Sequence, residues 1–133
     1  IRNMVATLER TGSDATYGDM LYVDRTDTAK VIRYWRSGHY RDGDFLWGWM
    51  PGHLSFFARR WVYEKYGYFN LNLKSAADYE LMLRFIHKHK IRLSYMDEVT
   101  IVMRVGGVSN QSLHHRLKAN REDREAWRLN GLK

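Results

Sequence analysis

The chain predicts an α/β fold, a mixed sheet with flanking helices, on three observations. The stretch ATYGDMLYVD alternates β-branched and aromatic residues with small and polar ones, as a strand does. In KSAADYELMLRF and the residues after it, Asp78, Leu81, Met82, Phe85 and Ile86 keep the i, i+3, i+4, i+7, i+8 spacing of one helical stripe. Segments of both kinds interleave along the chain, and such interleaving belongs to α/β and mixed architectures.

The elements follow in order. RNMVATLERTG reads as the end of a helix stopped by Gly12. After the strand, Thr26 or Asp27 is placed to cap a helix through TAKVIRYWRSG that closes at Gly38. HYRDGDFLWGWMPG is a loop, holding three glycines, two tryptophans and the only proline, Pro51. HLSFFARRWVYEKYG passes from an extended start into a short helix ending at Gly67. The turn YFNLNLK leads to a helix from about Ser75 to His89. IRLSY and EVTIVMRV read as two strands separated by Met96 and Asp97, followed by a turn at GGVSN. From Gln111 onward, Leu113, Leu117, Ala126 and Leu129 have helical spacing until Gly131. No repeat or linker interrupts residues 1–133, which read as one domain.

With 133 residues, 44% hydrophobic and 14% aromatic, the chain can build a core, burying roughly two thirds of its unfolded surface. It contains no cysteine, so it has neither a disulfide frame nor a thiolate metal site, which suits a reducing, cytoplasmic setting. No apolar run approaches the ~20 residues that span a bilayer, and no signal-peptide pattern opens the chain. Since it begins at Ile1, it is expected to be a piece of something longer. Lys and Arg exceed Asp and Glu by 22 − 15 = +7, a balance that suits polyanions, acidic lipid or a diphosphate. Much of that charge lies in clusters, and the last, from Arg116 to Arg128, is mixed with Glu122, Asp123 and Glu125 as on a solvated amphipathic helix. No helix-turn-helix, zinc-finger or RNP signature accompanies it, so nucleic acid is not the favoured partner.

Asp78 poses the central question. Ser75 and Asp78 fit a capping box, and an acid in the first turn meets the positive end of the helix dipole. Yet Asp78 also heads the buried stripe, where a carboxylate facing a cleft can act as a base. Glu80, Arg84 and Lys88, spaced i+4, predict a solvated ion-pair ladder on another side. Asp42 and Asp44 tempt a metal reading, but Asp-Gly is a common turn dipeptide. His87 and His89 point to different faces of a helix, and no HExxH, Walker or GxGxxG pattern occurs, so no metal ligand is assigned. Trp47 and Trp49, with His53 in the same loop, form either a platform for a ring-shaped ligand or a plug at the end of the core.

YGDMLYVD, VIRYWRSG, WGWMPGHLSFFARRWVYEKYGYFN, AADYELMLRF and IVMRVGGVSNQS occur in an order that resembles bacterial family 2 glycosyltransferases, the inverting GT-A (Rossmann-like) enzymes of surface polysaccharide synthesis. The resemblance covers almost the whole chain, but only the C-terminal, acceptor-side portion of the family's catalytic domain. It implies that Asp78 is the general base, with small Ala76 and Ala77 leaving room for the acceptor. It also implies that the loop of Trp49 and His53 flanks donor sugar and acceptor, with Tyr79 beside them, and that Arg104 faces the diphosphate.

Gly106 and Gly107 stand where many relatives carry a histidine, and with Val108, Ser109 and Asn110 they resemble a mobile turn that closes over the donor. The family's nucleotide-recognition half and its Asp-x-Asp, which binds Mg or Mn, have no counterpart here. These residues alone are therefore expected to be inactive, and their exposed sheet edges to favour self-association. The implied partners are a nucleotide-sugar and a saccharide or lipid-linked acceptor, at the inner face of the plasma membrane. The alternative is a non-enzymatic basic and aromatic module that binds carbohydrate or a polyanion.

Overall fold

The computed structural model describes residues 1–106 and 113–132, with side chains described outside 107–120. The architecture is α/β, a mixed four-stranded sheet with flanking helices. Helix α1 (Arg2–Thr11) buries Met4, Thr7 and Leu8 and stops at Gly12, whose φ of 62° is left-handed. Strand β1 (Ala15–Val23) is buried along most of its length because it is the centre of the sheet. It pairs antiparallel with β2 (Val31–Trp35) and β3 (Phe57–Ala58), and parallel with β4 (Leu93–Arg104) over its whole length.

The helix expected through TAKVIRYWRSG is strand β2 instead. Asp24 Oδ1 accepts from the amides of Thr26 and Asp27 at 2.9 and 3.1 Å, and the Lys30 amide donates to the Asp27 carbonyl, so the chain reverses. VIRYW then meets the edge of β1 with its β-branched and aromatic side chains, and pairing overrides the expected cap. The two strands expected around Met96 and Asp97 are one strand with a bulge: Gly18 opposes Met96 while Asp19 opposes Val99. Gly18 makes this possible, because a Cβ there would collide with the Thr100 side chain.

A 3₁₀ turn (Asp44–Trp47) and a second (His53–Ser55) punctuate the loop before β3. Helix α2 (Arg60–Tyr66) ends at Gly67, as expected. Helix α3 (Ala77–Met82) continues directly into a π-helical turn (Leu83–Lys88), and α4 (Leu113–Leu129) closes the described chain. Leu81, Met82, Phe85 and Ile86 are buried as their stripe predicts, against Tyr17, Phe45, Val62 and Ala126. Among the described residues no helix is long and apolar enough to cross a membrane.

The solvated ladder on α3 is not there. Glu80 is only 3% exposed, and its Oε1 accepts from Arg84 Nε and from Asn130 Nδ2, both at 3.0 Å. Arg84 also donates to the carbonyls of Tyr66 and Tyr68. The C-terminal end of α4 covers this face, so the i+4 spacing that suits a surface pair here serves a buried one. Lys88 alone of the three is exposed.

Candidate functional site

The site is built around the first turn of α3. Ala76 caps the helix with no side-chain hydrogen bond, so the Ser75–Asp78 capping box does not form. The Ser75 hydroxyl donates instead to Glu122 Oε2 at 2.7 Å, and the amides of Ser75 and Ala76 donate to the same oxygen at 2.7 and 3.1 Å. A carboxylate from α4 thus meets the amides at the start of α3, and the Asp78 carboxylate is left out of the cap. Its side chain is 31% exposed and lines a cleft of about 640 Å³.

Among the described residues Asp78 has one close partner, His53, whose Nδ1 stands 3.1 Å from Oδ2. The imidazole is 51% exposed, but its turn is firmly seated. Gly52 packs so closely on Met20 of β1 that a Cβ would collide with that side chain, and the Ser55 hydroxyl lies 2.9 Å from the Gly18 carbonyl and 2.8 Å from that of Gly52. The central strand therefore positions His53, and His53 positions one oxygen of Asp78.

Tyr79 lines the same cleft and accepts a hydrogen bond from Trp127 Nε1 at 2.6 Å. Burial pushes the Tyr79 hydroxyl above its ordinary range. Asp123, one turn before Trp127 on α4, also lines the cleft, and its carboxyl is raised first by burial, then by the charges of Asp78 and Glu122. Two carboxylates and two aromatic rings thus share one opening.

The remaining sequence candidates lie elsewhere. Trp49 packs among Tyr17, Tyr40 and Phe45 at centroid distances of 5.8, 5.0 and 5.4 Å, and its Nε1 donates to the Ser37 carbonyl at 2.7 Å. Its neighbours Gly48 and Met50 reach the cleft. Trp47 is 90% exposed, so the two tryptophans do not form one platform. Arg104 sits exposed at the end of β4 opposite Val23, outside the cleft lining. Ala76 is buried in the core and Ala77 is half-buried. Asp42 pairs with Lys90 across the fold, and Asp44 accepts from the Arg41 amide within the turn, so each acid of the Asp-Gly-Asp stretch has a structural partner. Gly107 and residues 108–112, with the expected turn, lie outside the described residues, as do the side chains of His114 and His115.

Sequence reasoning brought Asp78, His53 and Tyr79 together but missed Asp123 and Trp127. Their i+4 spacing was visible, and the surrounding charges disguised it as a solvated face. It also missed Asp19, whose buried Oδ1 accepts from the Ser37 amide at 2.9 Å and the Tyr95 hydroxyl at 2.8 Å, while Oδ2 accepts from Tyr34 at 2.8 Å. Among the described residues no group of three His, Asp or Glu side chains converges as a metal site would require. Comparisons of the chain with protein-family models, curated proteins and solved structures find no match.

Proposed function

We propose that these residues form the acceptor-side part of an inverting glycosyltransferase of the GT-A, family 2 type, acting in bacterial surface polysaccharide synthesis at the cytoplasmic face of the membrane. The observation that carries this reading is the half-open Asp78 carboxylate, held by His53 through one oxygen at the edge of a cleft. A carboxylate freed from helix capping keeps the acceptor capacity a base needs.

In this reading, a hydroxyl of the saccharide or lipid-linked acceptor enters the cleft and gives its proton to Asp78. Its oxygen then forms a bond to the anomeric carbon of the nucleotide-sugar, on the side opposite the diphosphate. The bond from that carbon to the diphosphate breaks with its electron pair, and the configuration inverts. His53 holds the base in place during attack. The divalent ion, Mg or Mn, that would neutralise the diphosphate would be held by an Asp-x-Asp in the other half of the enzyme.

The test joins a nucleotide-binding half to these residues and changes Asp78 to Asn. The expected result is a loss of about 10²–10⁴-fold in kcat with nucleotide binding retained. Unchanged turnover would remove Asp78 from the chemistry. The basic surface supports a second reading, a non-enzymatic binder of a polyanion, and a steep fall in affinity for DNA or RNA with rising salt would favour it.

A further inference from the structure

The cleft has a second wall, supplied by α4, that the base mechanism does not use. Asp123 and Trp127 are one turn apart and both reach the opening. The Trp127 indole is fixed by its 2.6 Å hydrogen bond to the Tyr79 hydroxyl, whose own proton has no acceptor among the described residues. The Asp123 carboxylate makes no hydrogen bond or ion pair among the described residues, although it is half-buried. A donor and an acceptor are therefore both unspent beside two aromatic rings. The volume, about 640 Å³, is in the usual range for a small-ligand site.

We propose that this wall is a saccharide subsite: the rings of Trp127 and Tyr79 pack against the C–H surface of a pyranose, Asp123 accepts from its hydroxyls, and the Tyr79 hydroxyl donates to one of its oxygens. An aromatic body with a polar tip offers both parts of such a contact. The sugar class follows from charge. Among the described residues, Asp78 and Asp123 line the cleft against one guanidinium, that of exposed Arg124. A uronate or phosphorylated sugar would bring a further negative charge to two carboxylates, so the subsite takes an uncharged hexose unit. The proposal rests on the transferase reading only for the fate of the bound hydroxyl, which is presented to Asp78.

The experiment titrates the chain with methyl β-glucopyranoside, methyl β-galactopyranoside, methyl α-mannopyranoside and methyl β-glucuronide. It follows the indole N–H resonances of the five tryptophans by two-dimensional NMR. Trp127→Phe identifies the Trp127 peak, and the other four, unmoved, show that the fold is kept. At least one neutral hexoside is expected to shift that peak, the glucuronide is not, and Asp123→Ala is expected to weaken the hexoside by about tenfold. An unmoved Trp127 peak with all neutral hexosides, an unchanged affinity in Asp123→Ala, or a preference for the glucuronide would overturn the proposal. Asp78→Asn should keep the shift while it stops transfer in the joined enzyme. Sugar binding without Asp78-dependent transfer would leave the subsite standing and remove the transferase reading, and transfer without the shift would do the reverse.

Discussion

Asp78 and Glu80 are two residues apart in the first turn of α3, and both meet the positive end of the same helix, yet their surroundings are opposite. Glu80 is buried, gripped by Arg84 and by Asn130. Asp78 is half-open and leans on one exposed histidine. The difference comes from α4, whose last residues seal over Glu80 while Asp123 and Trp127 stand back from Asp78 and leave a cleft. A carboxylate whose lone pairs are filled by fixed donors is a structural anchor, and one with an oxygen to spare is available for chemistry.

The strongest way to break this comparison is to remove the anchor. Glu80→Ala leaves the Arg84 guanidinium without its carboxylate in a largely buried setting, which typically costs about 3–5 kcal/mol of folding stability. Urea unfolding measures it, and a loss below about 1 kcal/mol would mean that the pair is effectively solvated. Asp19 is another filled carboxylate, and Asp19→Ala is expected to cost less. Tyr34 and Tyr95, both partly exposed, can turn their hydroxyls to water, so the buried Ser37 amide is the main group left stranded, at roughly 1–3 kcal/mol. A fall as large as that of Glu80→Ala would show that the tyrosines are trapped too.

These two acids also mark how far the sequence could be read. The buried stripe of α3, the ends of α1 and α2 at Gly12 and Gly67, and β1 follow from local periodicity and stop signals, which a single segment carries by itself. Glu80 was misread because i+4 ion pairs look the same whether or not another helix covers them, and α4 lies some fifty residues away. TAKVIRYWRSG differs for a related reason: its cap and stop signals are local, and they do not register the edge of β1 that the segment pairs with. In the site, Asp78 and His53 were legible as candidates. Their contact was not, since it depends on Gly52 seating against Met20.

On the open side of the comparison, His53→Ala separates orientation from stability. A half-exposed contact between an imidazole and a carboxylate is worth under about 1 kcal/mol, so unfolding should barely change. In the joined transferase, kcat is expected to fall about tenfold, less than for Asp78→Asn, with acceptor KM little altered, because the base remains but its direction is no longer set. A fall in stability with kcat intact would make His53 a structural partner and Asp78 a self-sufficient base.

Asp123 gives the smallest effect and the finest test, since its sign runs against the usual behaviour of an acid. Burial, then Asp78, then Glu122 raise its carboxyl above the ordinary value of 3.8, so the folded state holds the proton more tightly than the unfolded state does. Ionisation therefore opposes folding, with the full cost present at any pH above the raised value. As pH falls through the raised value towards the ordinary one, the carboxyl becomes protonated in both states and the cost disappears. Asp123→Asn, which cannot ionise, should have a slightly higher Tm than the parent at pH 7 and no advantage near pH 3.5. Equal Tm differences at both pH values would mean that the carboxylate feels neither burial nor Asp78, and the two acids would then not share the cleft as described.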